Sequence, residues 1–173
     1  MCINVHAPTS ERNRPGDFAI VGTYVLAWVR ARENNMADIV GGCLCGNVRY
    51  RSDAEPVMTA VCHCSHCQRQ TSSAFSIHVA VPKGTLHIEG GPLASYETEG
   101  ESGKSLIRKF CPNCGSPVVS DVHVTPDLEW VKGGTLDDTS WLQPQVHWWS
   151  DSAQPWVKID DAIPAYERNP PLS

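Results

Sequence analysis

Three short clusters contain seven of the eight cysteines in this 173-residue sequence. Two or three thiolates that lie this close in the chain can reach one metal ion with little loss of chain entropy. Zinc is the metal typical of such sulfur-rich sets. The sequence therefore predicts a zinc protein. The clusters are Cys43-Leu44-Cys45, Cys62-His63-Cys64-Ser65-His66-Cys67 and Cys111-Pro112-Asn113-Cys114.

Cysteines in this number also occur in the disulfide frameworks of small secreted proteins. Here at most two residues separate neighbouring cysteines within a cluster, which is too short for good structural disulfides. Free thiolates that bind zinc imply a reducing compartment, so we expect a cytoplasmic protein.

Two of the clusters have the form of zinc knuckles, and a glycine follows each pair of cysteines. Glycine permits the positive φ that points backbone N–H groups at sulfur. We expect one structural zinc with four thiolates, worth on the order of 10 kcal/mol in a small domain. Its ligands would be Cys43, Cys45, Cys111 and Cys114. The spacing alone also permits Cys43 and Cys45 to join Cys64 and Cys67 instead.

The remaining cluster holds three cysteines within six residues: Cys62, Cys64 and Cys67. A zinc ion with three protein ligands and one free position is typical of catalytic sites. Three thiolates leave one net negative charge on the site, which weakens the activation of water and favours a soft thiol ligand. A second closed site is the alternative, with His63, His66 or a distant side chain as its fourth ligand.

The elements that must position these cysteines read as short β-strands. From Ile39 onward, segments of five to nine residues alternate apolar and polar residues, and glycine and proline separate them. This pattern predicts an antiparallel, all-β domain with a single helical turn at 65–71. Strands are predicted at 47–51, 74–81, 85–89, 105–110, 117–122 and 128–132.

Residues 1–37 differ in composition from the rest and are predicted to be a poorly ordered extension. Their apolar stretch, 18–29, resembles the core of a signal peptide, but the segment before it is long and carries acidic residues. Met36, just before the first motif, is the favoured start of the protein, and a short ordered helix or strand in 1–37 is the second interpretation. Cys2 has no predicted role. Residues 169–173 read as a tail.

Net charge excludes some classes of function. The formal charge is −5, whereas a general nucleic-acid binder carries a basic face. No run of eighteen apolar residues is present, so no membrane span is predicted.

Three blocks resemble one known family in order and spacing. They read GGCLCGNVRY at 41–50, CHCSHCQR at 62–69 and FCPNCGS at 110–116. The chain is similar there to the glutathione-dependent formaldehyde-activating enzymes, a family that includes centromere protein V. The similarity extends over about residues 38–168. It departs at Thr71-Ser72-Ser73, where many members carry a glycine.

The resemblance implies a β-tent, a fold of small antiparallel sheets organised around zinc. It also implies two zinc ions: a structural one at Cys43, Cys45, Cys111 and Cys114, and a catalytic one at Cys62, Cys64 and Cys67. The activity implied is the addition of glutathione to formaldehyde, which is classed as a carbon–sulfur lyase reaction. The implied partner is a small thiol such as glutathione or its aldehyde adduct, with no nucleic acid and no membrane.

Other side chains are interpreted as structural. His78 and His87 read as packing histidines, and five tryptophans between 130 and 156 as core residues. Asp137 and Asp138 read as a turn or cap pair. Surface ion pairing is the expected role of the arginines, although an anionic substrate is the alternative; these are Arg49, Arg69 and Arg108.

Two functional hypotheses follow. The first is an enzyme in which the three-cysteine cluster activates a thiol for addition to an aldehyde. The second is a non-catalytic zinc module that binds a protein or a small thiol, which would have two closed sites.

Overall fold

The structure, a computed structural model, describes residues 39–169. The predictions for residues 1–37, Cys2 and Met36 among them, lie outside the described residues. So does nearly all of the predicted tail. The division of the chain into an extension, a zinc domain and a tail therefore stays a prediction.

Eleven strands and one α-helix make up the described part of the chain. The strands are β1 Val40–Gly42, β2 Val48–Ser52, β3 Met58–Cys62, β4 Ser76–Pro82, β5 Leu86–Gly90, β6 Ala94–Glu99, β7 Ser105–Phe110, β8 Pro117–Val122, β9 Leu128–Lys132, β10 Val146–Trp148 and β11 Ala165–Tyr166. The helix is α1 Ser65–Thr71, and two 3₁₀ turns span Gly133–Thr135 and Ser150–Ser152.

The strands form two sheets. A three-stranded sheet has the order β1-β2-β5, and an eight-stranded sheet has the order β11-β10-β3-β4-β9-β8-β7-β6. The prediction of an all-β, antiparallel architecture is confirmed, and the strands are shared between one small and one larger sheet. Two pairings differ: β10 lies parallel to both β3 and β11 at one edge.

Three predicted strands, 105–110, 117–122 and 128–132, match β7, β8 and β9, and the helix at 65–71 matches α1. The other three predicted strands are shifted by one or two residues. Five strands were not predicted. Four of these five, β1, β6, β10 and β11, form sheet edges or lie beside one and owe their conformation mainly to a neighbour, not to their own pattern.

Alternation along β4 and β9 gives the large sheet two different faces. Val79 pairs with Val131, and both are fully buried in the hydrophobic core against residues of the small sheet such as Val48. The alternate positions, His78 paired with Lys132, therefore point to the opposite face. The core includes Cys43 and Cys111, so cysteines of the two knuckles are part of the hydrophobic interior.

The segment after β9 ties the small sheet to the large one. Gly41 forms a β-bridge with Leu136, and the amide of Asp137 donates to the carbonyl of Val40 at 2.9 Å. A side chain at Gly41 would collide with the Thr135 carbonyl, at 2.2 Å from a Cβ in that position. The backbones therefore approach here in a way that only glycine allows.

Helix α1 begins at a cysteine. Cys64 is its N-cap, and the Cys64 sulfur accepts a hydrogen bond from the amide of Cys67. The helix ends at Ser72, which has the left-handed φ of 51° and donates its amide to the Gln68 carbonyl. Ser72 falls within the segment where the resembling family often carries glycine, so serine here bears a conformation that glycine adopts freely.

No helix within residues 39–169 has the length and hydropathy that a membrane crossing requires.

We expect Ser72→Gly to raise the free energy of unfolding by about 0.5–1 kcal/mol, because glycine adopts the left-handed conformation of this cap without the strain that a Cβ causes. Urea denaturation of the metal-loaded protein measures the change. Ser73→Gly is the matched control, since Ser73 is not among the residues with positive φ. It should destabilise the protein by a similar amount through the entropy of the unfolded chain. Loss of stability in both variants would contradict the assignment of strain to Ser72.

Candidate metal centres and the adjoining cleft

Two turns from different sheets bring four cysteines together. Cys43 and Cys45 lie in the turn between β1 and β2, and Cys111 and Cys114 lie in the turn between β7 and β8. All four sulfurs lie within 4.8 Å of one another. The Cys45 sulfur is 3.5 Å from that of Cys43 and 3.8 Å from that of Cys111. Of the two groupings that spacing permits, the structure has this one.

Each knuckle turns at a glycine with positive φ, 74° at Gly46 and 76° at Gly115. The amide of Gly46 donates to the Cys43 carbonyl, and that of Gly115 donates to the Cys111 carbonyl. Both turns therefore have the backbone that the sequence predicted.

Several donors point at these sulfurs. The Val48 amide lies 3.2 Å from the Cys43 sulfur, and the Asn113 side-chain amide lies 3.2 Å from the Cys45 sulfur. Such donors stabilise thiolates over thiols. The Ser116 hydroxyl and amide lower the pKa of Cys114 to about 5 in the same way.

Burial acts against this at Cys111, where it raises the pKa to about 11. Four sulfurs in contact cannot all ionise without a cation between them. The donor set is therefore one that fits zinc with four thiolates.

The second cluster forms where β3 meets α1. Cys62 ends β3, Cys64 caps the helix and Cys67 lies in its first turn, and their sulfurs all lie within 4.8 Å of one another. Hydrogen bonds from Cys62 and Cys67 lower the pKa of Cys64 to about 2, whereas hydrogen bonding to Cys64 raises that of Cys62. One thiolate is thus held by two thiols. Ionisation of all three requires a cation, and the set fits a zinc ion with three protein ligands.

The two histidines of this motif do not join the sulfur cluster. His66 is exposed on α1, whereas His63 is fully buried with its Nε2 2.9 Å from Nδ1 of His147. The Gln68 side chain donates to the His63 carbonyl and holds the loop. Both histidines therefore lie beside the cluster and outside its ligand set in this structure.

His78 is the histidine that approaches the cluster. It is buried, and its Nε2 lies 3.5 Å from the Cys67 sulfur. Burial lowers its pKa well below the usual value, so the ring is neutral and suited to a soft metal or a thiol proton. The three cysteines nevertheless form the group without it, because only their sulfurs are all mutually close. The sequence analysis interpreted His78 as an ordinary packing histidine and did not predict its approach to Cys67. That approach follows from the pairing of His78 with Ala60 across β3 and β4.

A cleft of about 600 Å³ lies between the end of α1 and the segment after β9. One wall comes from Thr71, Ser73 and residues 75–77, and another includes Lys132 and residues 134–137. The turns that carry the four-cysteine cluster line a third side, at residues 42–44 and 116–117. The volume suits a small molecule of the size of a tripeptide. Ser76 lines the cleft and pairs with Cys62 across β3 and β4, so the lining includes a strand neighbour of the three-cysteine cluster. The cysteine that lines the cleft itself is Cys43 of the four-cysteine cluster.

The arginines differ in their environments. Arg49 forms a two-pronged ion pair with Asp137 at the surface, as predicted for a surface arginine, and Arg69 is exposed. Arg108 contradicts the prediction, because only 7% of its surface is exposed and its NH1 donates to the Thr98 hydroxyl at 2.6 Å. Arg108 lies on β7 opposite the buried Ser120 of β8, so its side chain points to a buried face of the sheet and not to solvent.

The prediction for His87 is also wrong. This residue lies on the exposed strand β5 and pairs with Asp53 at 2.6 Å, so it does not pack in the core. The tryptophans are mixed: Trp130 is buried and contacts Trp148 edge-on at 5.4 Å, whereas Trp156 is 72% exposed. Asp138 accepts from the Ser140 amide at 2.8 Å, which agrees with its predicted turn role.

Comparison with known proteins identifies one family. Residues 38–152 match the family model described as glutathione-dependent formaldehyde-activating enzyme. A crystal structure of a Rhodobacter sphaeroides protein is similar at 22% identity and a TM-score of 0.47, over 61% of this chain and 91% of that one. No curated protein matches the sequence.

We expect the two clusters to differ in what they contribute to stability. Cys114→Ala removes a ligand that ties the two sheets together, with zinc binding worth on the order of 10 kcal/mol, so the domain should unfold at ordinary temperature. Cys64→Ala should cost about 1 kcal/mol for the lost helix cap and leave a folded domain with one metal ion fewer. Thermal melting and metal analysis of both variants measure this. Equal loss of folding would contradict the division.

Proposed function

The chain belongs to the glutathione-dependent formaldehyde-activating enzyme family, and we propose that it makes and breaks the carbon–sulfur bond of thiol–aldehyde adducts. The reaction proposed is the addition of glutathione to formaldehyde to give S-hydroxymethylglutathione, or its reversal. The chain would thus be a zinc-dependent carbon–sulfur lyase.

The three-cysteine cluster is the observation that carries this proposal. Cys62, Cys64 and Cys67 offer three sulfurs to one ion, and no fourth cysteine, histidine or carboxylate within residues 39–169 completes the group. Bound zinc would supply the positive charge that keeps a substrate thiol ionised at neutral pH. The protein holds the three sulfurs through the end of β3 and the first turn of α1.

The chemistry needs no oxidant or reductant. The substrate sulfur donates an electron pair to the aldehyde carbon, and the carbon–oxygen π electrons move to oxygen. The proton that the thiol loses goes to that oxygen through a nearby group or water. Breaking the adduct reverses each movement.

Glutathione or its aldehyde adduct is the proposed partner, and no nucleic acid or membrane takes part. The net charge of −5 disfavours nucleic acid. The seven cysteines within the described residues are all free, which supports a reducing compartment, and we assign the chain to the cytoplasm. The roles of the two clusters, structural for Cys43, Cys45, Cys111 and Cys114 and catalytic for Cys62, Cys64 and Cys67, belong to this proposal.

One observation favours a second candidate, a non-catalytic zinc module that binds a protein or a small thiol. The His78 ring lies 3.5 Å from the Cys67 sulfur, and a small shift of the ring would make it the fourth ligand of a closed site. A closed site has no position for a substrate thiol.

The open site predicts a thiol-sensitive spectrum. We expect the protein to bind two metal ions per chain, and the visible bands of one cobalt ion to shift when glutathione is added, because its thiolate enters that ion's coordination. S-methylglutathione is the matched control and should cause no shift, since its sulfur cannot ionise. In Cys64→Ala, both the shift and the turnover of formaldehyde with glutathione should disappear. An unchanged spectrum of the unaltered protein would favour the closed-site module.

The two candidates also differ at His78. If the site is open, His78→Ala should retain two metal ions per chain, because the ring is not a ligand. A closed site would lose one ion or bind it far more weakly. Metal analysis after dialysis against a mild chelator measures this, with His66→Ala on the exposed side of α1 as the control.

A further inference from the structure

Lys132 and Arg108 are two buried cations for which the described residues offer no carboxylate partner. They are 4% and 7% exposed, and neither takes part in an ion pair within residues 39–169. The Lys132 ammonium lies 3.4 Å from the Ser76 hydroxyl, and Arg108 donates to the Thr98 hydroxyl. Hydroxyl groups satisfy hydrogen bonds but do not neutralise charge, so these cations need another anion.

Strand register puts both cations on the face of the large sheet that carries the three-cysteine cluster. Lys132 pairs with His78 across β4 and β9, and His78 approaches the Cys67 sulfur. Ser76, which accepts from Lys132, pairs with Cys62 across β3 and β4.

Arg108 lies on the same face further along the sheet. It pairs with Ser120, which pairs with Trp130, two residues before Lys132. The acidic residue of β8, Asp121, is on the opposite face and is already paired with Lys83 and Lys109.

The cysteine sulfurs are the anionic groups that act on Lys132. Burial lowers the pKa of the Lys132 ammonium, while the sulfurs of Cys67, Cys62 and Cys64 act in the opposite direction.

The two buried cations of this face leave room for a further anion. A dication with three cysteine thiolates carries one net negative charge, whereas this face of the sheet buries two cations, Lys132 and, further along, Arg108. A thiolate from the substrate adds the missing negative charge, and Lys132 and Arg108 then neutralise the whole site. The thiol proton passes to the buffer. Lys132 also lines the cleft together with Ser76.

Resting on the proposed function, we propose that Lys132, supported by Arg108, is the counter-charge of the substrate thiolate and sets how tightly the site takes a thiol. It is a positioning residue: it recognises the negative charge of the sulfur, not a carboxylate elsewhere on the substrate. Its effect is therefore common to all thiols.

Calorimetric titration of the zinc-loaded protein tests this with two probes, glutathione and 2-mercaptoethanol, which has no carboxylate. Lys132→Met should weaken binding of both thiols by at least about tenfold, because a buried charge pair is lost. Lys132→Arg keeps the charge and should retain affinity within a few-fold. Lys104→Met, at an exposed lysine of the turn before β7, is the matched control and should change nothing. Metal content and melting temperature check that each variant is folded, and Lys132→Gln carries the same expectation should the Met variant fail to fold.

The outcomes separate this inference from the function on which it rests. Unchanged affinity for both thiols in the folded variants would overturn the role of Lys132, while binding by the unaltered protein would still support thiol chemistry. If the variants bind glutathione more weakly but 2-mercaptoethanol as before, Lys132 interacts with a carboxylate of glutathione, and the proposed recognition of the thiolate is overturned. Absence of thiol binding by the unaltered protein would overturn the proposed function itself.

Discussion

The meeting of two cysteine turns is the constraint on which the rest of this structure depends. The turn between β1 and β2 and the turn between β7 and β8 belong to different sheets, and their four sulfurs lie within 4.8 Å of one another. Cys43 and Cys111 are also buried members of the hydrophobic core, so the same contacts close the interior and gather the sulfurs. A metal ion bound by these four sulfurs would add much to the stability of a domain with many short strands, because each strand alone contributes little stability.

The large sheet separates stability from chemistry by its two faces. One face packs valines such as Val79 and Val131 against the small sheet, and these side chains are fully buried. The other face buries His78, Lys132 and Arg108, and the desolvation of these polar and charged side chains destabilises the folded state. Polar burial of this kind is typical of sites where stability is given up for function, and it lies beside the three-cysteine cluster.

Much of the fold and the membership of the three-cysteine cluster could be predicted, because those features depend on neighbouring residues. The strands β7, β8 and β9 carry their own alternation, and three cysteines within six residues necessarily share one neighbourhood. The short strands β1, β10 and β11 were missed, since two or three residues are too few to show a period. The surroundings of the cluster were missed for another reason: His78, Lys132 and Arg108 come from strands distant in sequence, and nothing local marks them as neighbours.

By itself, the sequence determined the chemistry that is available: soft sulfur ligands in sets of two and three, glycines at the knuckle turns, and a β-rich chain. Only the tertiary structure decided which pairs of cysteines meet and that His78 is the histidine near Cys67. It also decided that two buried cations, which form no ion pair within residues 39–169, share a face with the cluster. The physical reason is strand register. A shift of one residue would turn every side chain of a strand to the other face, so such neighbours follow from long-range pairing and core packing, not from local pattern.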